Sequence, residues 1–158
     1  MREAVGGTWL FQIAIVFIIL FSGYLALSVN YSRAFKVKNE ILAIIERNEG
    51  LREKSVLEIN NYLVTVNHTV VGNCAKDFTG FGQNGTASNN KTGIYCIRKT
   101  CVTGDVVPKA YYKVTVFFKF DLPVIGDIFT FRVDGETKTI YNTPDPADDN
   151  IECLGSDI

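Results

Sequence analysis

The chain has 158 residues, with 16 Lys and Arg against 17 Asp and Glu, and its net charge of −1 leaves no electrostatic footprint for nucleic acid. Hydrophobic residues make up 47% of it, a share inflated by one long apolar run. Outside that run roughly 125 residues remain, enough for one domain but not comfortably two. The single histidine, His68, excludes paired-His metal sites and triads with a spare base, and no catalytic constellation or cofactor motif replaces them. The chain reads as a non-enzyme.

Residues 1–7 form a short polar leader that carries Arg2 and Glu3 and closes on Gly6 and Gly7. From Thr8 to Val29 the sequence is apolar, inside an uncharged run from Ala4 to Ser32. At about 1.5 Å per residue such a helix is long enough to cross the ~30 Å core of a bilayer. A cleaved secretory signal has a shorter apolar region that ends at a small-residue cut site. Here more helix follows. Ala34, Val37, Ile41, Ile44 and Ile45 recur at steps of three and four, with Arg33, Lys36, Glu40 and Arg47 between them. One continuous helix over residues 8–48 is expected, apolar in its first half and amphipathic in its second.

Residues 49–158 follow as a small α+β domain. Asn48-Glu49-Gly50 stops the first helix, with Gly50 available for a left-handed residue. A second, short helix is expected from Ser55, where Ser55 and Glu58 fit a capping box and Val56, Ile59, Leu63 and Val66 form its apolar stripe. From Val70 to Thr92 the Gly-, Asn- and Thr-rich composition predicts a long exposed loop. Asn67, Asn84 and Asn90 each open an Asn-x-Ser/Thr triplet there, a pattern that such composition also produces by chance.

Strands follow, making a small antiparallel sheet. The first lies within Gly93 to Val102, interrupted by Arg98-Lys99. The clearest has Tyr112, Val114, Val116, Phe118 and Phe120 alternating with Lys113, Thr115 and Lys119. After an Asp121-to-Asp127 turn comes Ile128 to Val133, and Asp134-Gly135 either closes a tight hairpin onto Glu136 to Tyr141, the favoured reading, or marks a bulge in one long strand. The tail beyond Asn142 reads as acidic loop; Asp145, Asp148 and Asp149 lack the ligand spacing of a calcium loop, and no metal site is assigned.

Cys74, Cys96, Cys101 and Cys153 all lie beyond the apolar run, which predicts up to two disulfides with pairing left open among three connectivities. They also place the domain in an oxidising compartment. The positive-inside count opposes this, with Arg2 before the span against Arg33, Lys36 and Lys38 after it. Those three share a helix with Glu40 and Glu46 and read as a solvated face. We weigh the cysteines more heavily and expect a single-pass cell-membrane protein, amino terminus cytoplasmic and carboxyl-terminal domain outside.

This layout resembles type IV pilins and pseudopilins. Gly7-Thr8-Trp9-Leu10-Phe11-Gln12 before the apolar run, and Ser32-Arg33-Ala34-Phe35-Lys36-Val37 after it, are most similar to TadE-like minor pilins of tight-adherence (Tad) pili. The similarity covers the first 45 residues well and residues 110–133 loosely, through Val114-Thr115-Val116 and the Leu122-Pro123 turn. It implies a pilin-like fold, cleavage by a prepilin peptidase between Gly7 and Thr8, and partners among other pilin-like subunits and the pilus or secretion machinery. It also implies that Gln12, Arg33, Ala34 and Phe35 serve helix assembly and that Ile41→Lys weakens it. The family usually carries Glu at the fifth position after the cut; Gln12 accepts a hydrogen bond without charge pairing, which points to a minor or accessory subunit. The rival expectation is a single-pass surface protein whose disulfide-stapled ectodomain binds a ligand.

Overall fold

The structure, a computed structural model, describes residues 2–88, 91–102, 109–122 and 126–141. It is α+β. Helix α1 runs unbroken from Arg2 to Arg47, 46 residues, and so includes the leader as well as the apolar and amphipathic halves. No proline interrupts it. It ends where the Gly50 amide donates to the Ile45 carbonyl at 3.0 Å. Glu49, rather than Gly50 alone, supplies the left-handed turn, with φ 53° against 135° for Gly50.

Helix α2, Glu53–Thr65, starts two residues before the expected Ser55. Arg52 stands at its N-cap with no side-chain cap. The capping box does not form because both of its members are taken by the end of α1. Ser55 is buried and donates to the Gly50 carbonyl at 2.8 Å, while Glu58 pairs with Arg47 and accepts from Asn48. Closing the corner between the two helices outweighs a local cap worth about 1 kcal/mol.

The strands are β1 (Gly72–Asn73), β2 (Thr79–Phe81), β3 (Ala87–Ser88), β4 (Thr92–Gly93), β5 (Tyr95–Val102), β6 (Lys109–Leu122), β7 (Gly126–Glu136) and β8 (Ile140–Tyr141). The main sheet has the order β3-β2-β5-β6-β7, with β8 beside β6, and β1 pairs β4 in a separate ribbon. Every pairing among the described residues is antiparallel.

Three expectations are corrected here. The stretch 70–92 is not simply exposed loop: it holds four short strands, and Phe81 is buried with its ring stacked on Tyr95 at 5.1 Å. Arg98-Lys99 does not interrupt β5, which pairs β6 continuously from Tyr95 to Val102 and buries Lys99. The Asp134-Gly135 hairpin is absent, because β7 continues through both residues, opposite Thr115 and Val114. Gly135 is required by packing instead of turning: a Cβ there would lie 2.6 Å from Lys38 Cδ and 2.9 Å from Leu42 Cδ1 of α1. The chain then crosses to β8 through Thr137, whose amide donates to the Tyr112 carbonyl and whose hydroxyl accepts from the Tyr112 amide, both at 2.9 Å.

The core lies between the two helices and the main sheet. From α1 it takes Val37, Ile41, Ile44 and Ile45; from α2, Val56, Ile59 and Leu63; from the strands, Tyr95, Ile97, Tyr112, Val114 and Val116. The stripe predicted on α1 is thus turned inward onto the chain's own sheet. A second cluster of Ala34, Phe118 and Val133, with Leu27 beside it, carries β6 and β7 up α1 toward its apolar half. On the opposite face of the sheet, Cys74, Cys96 and Phe117 pack with Val70 and Phe78.

Candidate functional site

Two features hold the chain's functional potential: the bare half of α1 and the cleft at its base. One helix among the described residues is long and apolar enough to cross a membrane, with mean hydropathy 2.4 and none of that stretch buried. Trp9, Phe11, Phe17 and Leu20 are each more than half exposed. An unbroken apolar surface of this size is not left to water.

The candidate site residues spread along this helix. Gly7 has open space around it, with nothing within 4 Å of an added Cβ. Gln12 is exposed among the apolar residues. Ala34, by contrast, is buried against Phe118 and Val133 and serves the domain's own packing. Arg33 and Phe35 are exposed. Phe35 stacks with Tyr31 at 6.3 Å and carries the Lys38 ammonium 4.2 Å above its ring, while Tyr31 meets Phe118 edge-on at 6.0 Å. Aromatic and lysine side chains in such an arrangement suit the wet edge of a bilayer.

Beside this cluster a cleft of about 600 Å³ opens between α1, the segment after α2 and β6. Arg33, Lys36 and Lys119 ring it, and Val37 and Phe118 form its apolar wall. His68 sits on its rim, half-buried, where the chain leaves α2 through Asn67 in a left-handed conformation, φ 50°. Sequence reasoning missed this cleft. The spacing of Asn30, Arg33 and Lys36 on one helix face was its only local sign, because Lys119 and His68 come from distant parts of the chain.

Burial lowers the pKa of His68 below its ordinary value near 6.5, opposed by a weaker contribution from its hydrogen bond to the Phe117 backbone. The folded chain therefore favours the neutral ring. Between the two pKa values the unfolded chain binds a proton that the folded chain does not. The stability that His68 contributes is thus present above about pH 6.5 and lost as pH falls through the folded value. Melting temperature measured from pH 7 down to pH 5 is expected to decline, and His68→Gln to flatten part of that decline; parallel curves would dispose of the assignment.

Of the candidate cysteines, Cys74 and Cys96 are joined, with Cα atoms 5.7 Å apart, and they tie the β1–β4 ribbon to the outer face of β5. Cys101 is also disulfide-bonded. Cys153 lies outside the described residues, as do Asn90 and the acidic tail. No family model matches this chain, and neither a curated protein nor a solved structure matches it.

Proposed function

We propose that this chain is a pilin-like, membrane-anchored structural or assembly component of a Tad or type IV pilus or secretion apparatus, a minor pilin of the TadE-like kind. The observation that carries it is the single 46-residue helix, whose exposed apolar half continues without a break into the core of an antiparallel α+β domain. Such a helix leaves one end for packing among neighbours in lipid and holds a folded head at the other. The disulfide-bonded cysteines of that head favour placing it outside the cytoplasm.

Gly6 and Gly7 add support. Glycine within a helix costs roughly 0.5–1 kcal/mol relative to alanine, and no contact inside the chain requires one at Gly7. A peptidase that must draw the leader into extended form does require it. Intact-mass analysis of the membrane-extracted protein, made in the presence of a prepilin peptidase, is expected to show a chain beginning at Thr8. Gly7→Leu is expected to leave the leader attached while the domain folds normally. A wild-type chain still beginning at Met1 would count against the proposal. It would favour instead a surface protein that presents the stapled ribbon at Cys74 and Cys96 as a ligand-binding face.

A further inference from the structure

The basic cleft beside α1 has a position and a chemistry that the pilin-like assignment does not use. Its helix wall runs from Asn30 to Val37, which begins about 1.5 Å and ends about 12 Å beyond Val29, the last residue of the apolar run. The headgroup layer on each side of a bilayer is roughly 5–8 Å thick. If α1 spans the membrane, the cleft opens at headgroup depth.

Its lining is one-signed. Arg33, Lys36 and Lys119 are joined by the polar Asn67 and Thr69, and among the described residues no carboxylate lies in the lining. A second cleft, on the outer face of the sheet, mixes its cations with Asp134 and Glu136. Three cations gather in the cleft beside α1, against a single one, Arg132, in a third cleft beside β1. Val37 and Phe118 behind the cations provide an apolar wall, and the exposed face of α1 continues upward from it.

We propose that this cleft binds the phosphodiester of an anionic phospholipid in the leaflet from which the domain emerges. Arg33 offers the planar fork that suits two phosphate oxygens, and Lys36 adds a point charge one helical turn away. Because the described lining offers three cations and no carboxylate to receive a choline or ethanolamine ammonium, the site selects a headgroup of net negative charge. The proposal rests on α1 crossing a bilayer and holds in either orientation. With the domain outside the cytoplasm, it also accounts for Arg33 and Lys36 following the span against the charge count.

The test uses the full chain in vesicles of phosphatidylcholine alone and of phosphatidylcholine with phosphatidylglycerol, with retained lipid read by native mass spectrometry after gentle extraction. Wild-type protein is expected to retain phosphatidylglycerol in preference to phosphatidylcholine. A surface cation contributes on the order of a fivefold change in affinity, so Arg33→Gln with Lys36→Gln is expected to weaken retention roughly thirtyfold. Both residues are exposed, so the core is untouched. Arg52→Gln with Lys54→Gln removes the same charge where α2 begins, at the end of the domain away from the span, and is expected to change little. Equal losses in the two double variants would overturn the site in favour of diffuse attraction. Inorganic phosphate alone displacing the lipid and raising the melting temperature through Arg33 and Lys36 would overturn the lipid as ligand. A chain that fails to float even with phosphatidylcholine vesicles would overturn both this proposal and the spanning helix, whereas one that floats without lipid preference would overturn the cleft alone.

Discussion

Ile41→Lys is expected to unfold the domain, not merely to loosen its association with neighbours. Ile41 is fully buried between α1 and the sheet, in one cluster with Ile44, Ile45, Val114 and Val116. Replacing it removes about 2–3 kcal/mol of apolar burial and leaves an ammonium in a dry site, which costs several kcal/mol more unless the group is neutralised. A domain of this size has roughly 5–15 kcal/mol in total. Chymotrypsin cuts after Tyr95 and Tyr112, which are fully buried in the folded domain, so digestion in detergent reports the domain separately from the apolar half of α1. The variant is expected to be digested at temperatures where the wild type resists. Ile41→Val should lose only about 1 kcal/mol, and Ala43→Lys, on the exposed side of the same turn, should lose almost nothing. An Ile41→Lys protein that melts with the wild type would refute the inward packing.

The second large effect belongs to the Cys74–Cys96 bridge. It closes a loop across a sequence separation of 22, for which the chain-entropy model gives about 3 kcal/mol. Cys96 is fully buried and Cys74 nearly so, and truncating both to alanine also leaves a void beside Phe117. The Cys74→Ala, Cys96→Ala protein is therefore expected to unfold at a clearly lower urea concentration than the wild type, and wild type treated with reductant should move in the same direction. Peptide mapping of the unreduced protein is expected to join Cys101 to Cys153, the one cysteine left in the chain. Coincident urea curves, or alkylatable thiols in the native protein, would contradict the bridge.

Sequence patterning was most legible where one face of an element does one thing. Ala34, Val37, Ile41, Ile44 and Ile45 are all buried, as their spacing implies, and Tyr112, Val114, Val116 and Phe118 all face inward as their alternation implies. The misreadings fall where a residue answers to a distant partner. Asp134-Gly135 has the composition of a turn, yet the glycine is there to admit Lys38 and Leu42 of α1, almost a hundred residues earlier. Gly80 looks like a loop breaker, but a Cβ on it would lie 2.5 Å from the Thr92 carbonyl and 3.0 Å from Cys74 Sγ. Ser55 and Glu58 fit a local cap and are used instead to close the corner with α1. Lys99 breaks the hydrophobic pattern of β5 but not the strand: it is fully buried and keeps its register opposite Tyr112. The basic cleft beside α1 is of the same kind, since Lys119 joins Arg33 and Lys36 only after β6 has folded back along α1.

Because α1 passes from the apolar half into the core with no proline and no interruption, the angular phase of the domain about the helix axis is locked to the faces of that apolar half. Each residue advances a helix by about 100° and 1.5 Å. One residue inserted after Val29 would therefore swing the whole domain about a quarter-turn relative to that face, whereas seven would restore the phase to within roughly 20° and raise the domain by about 10 Å. Tilt is transmitted with the same stiffness: a lean of about 20° in the apolar half displaces the far end of the helix, some 25 Å beyond Val29, sideways by roughly 9 Å. The apolar half thus acts as the handle that aims the domain.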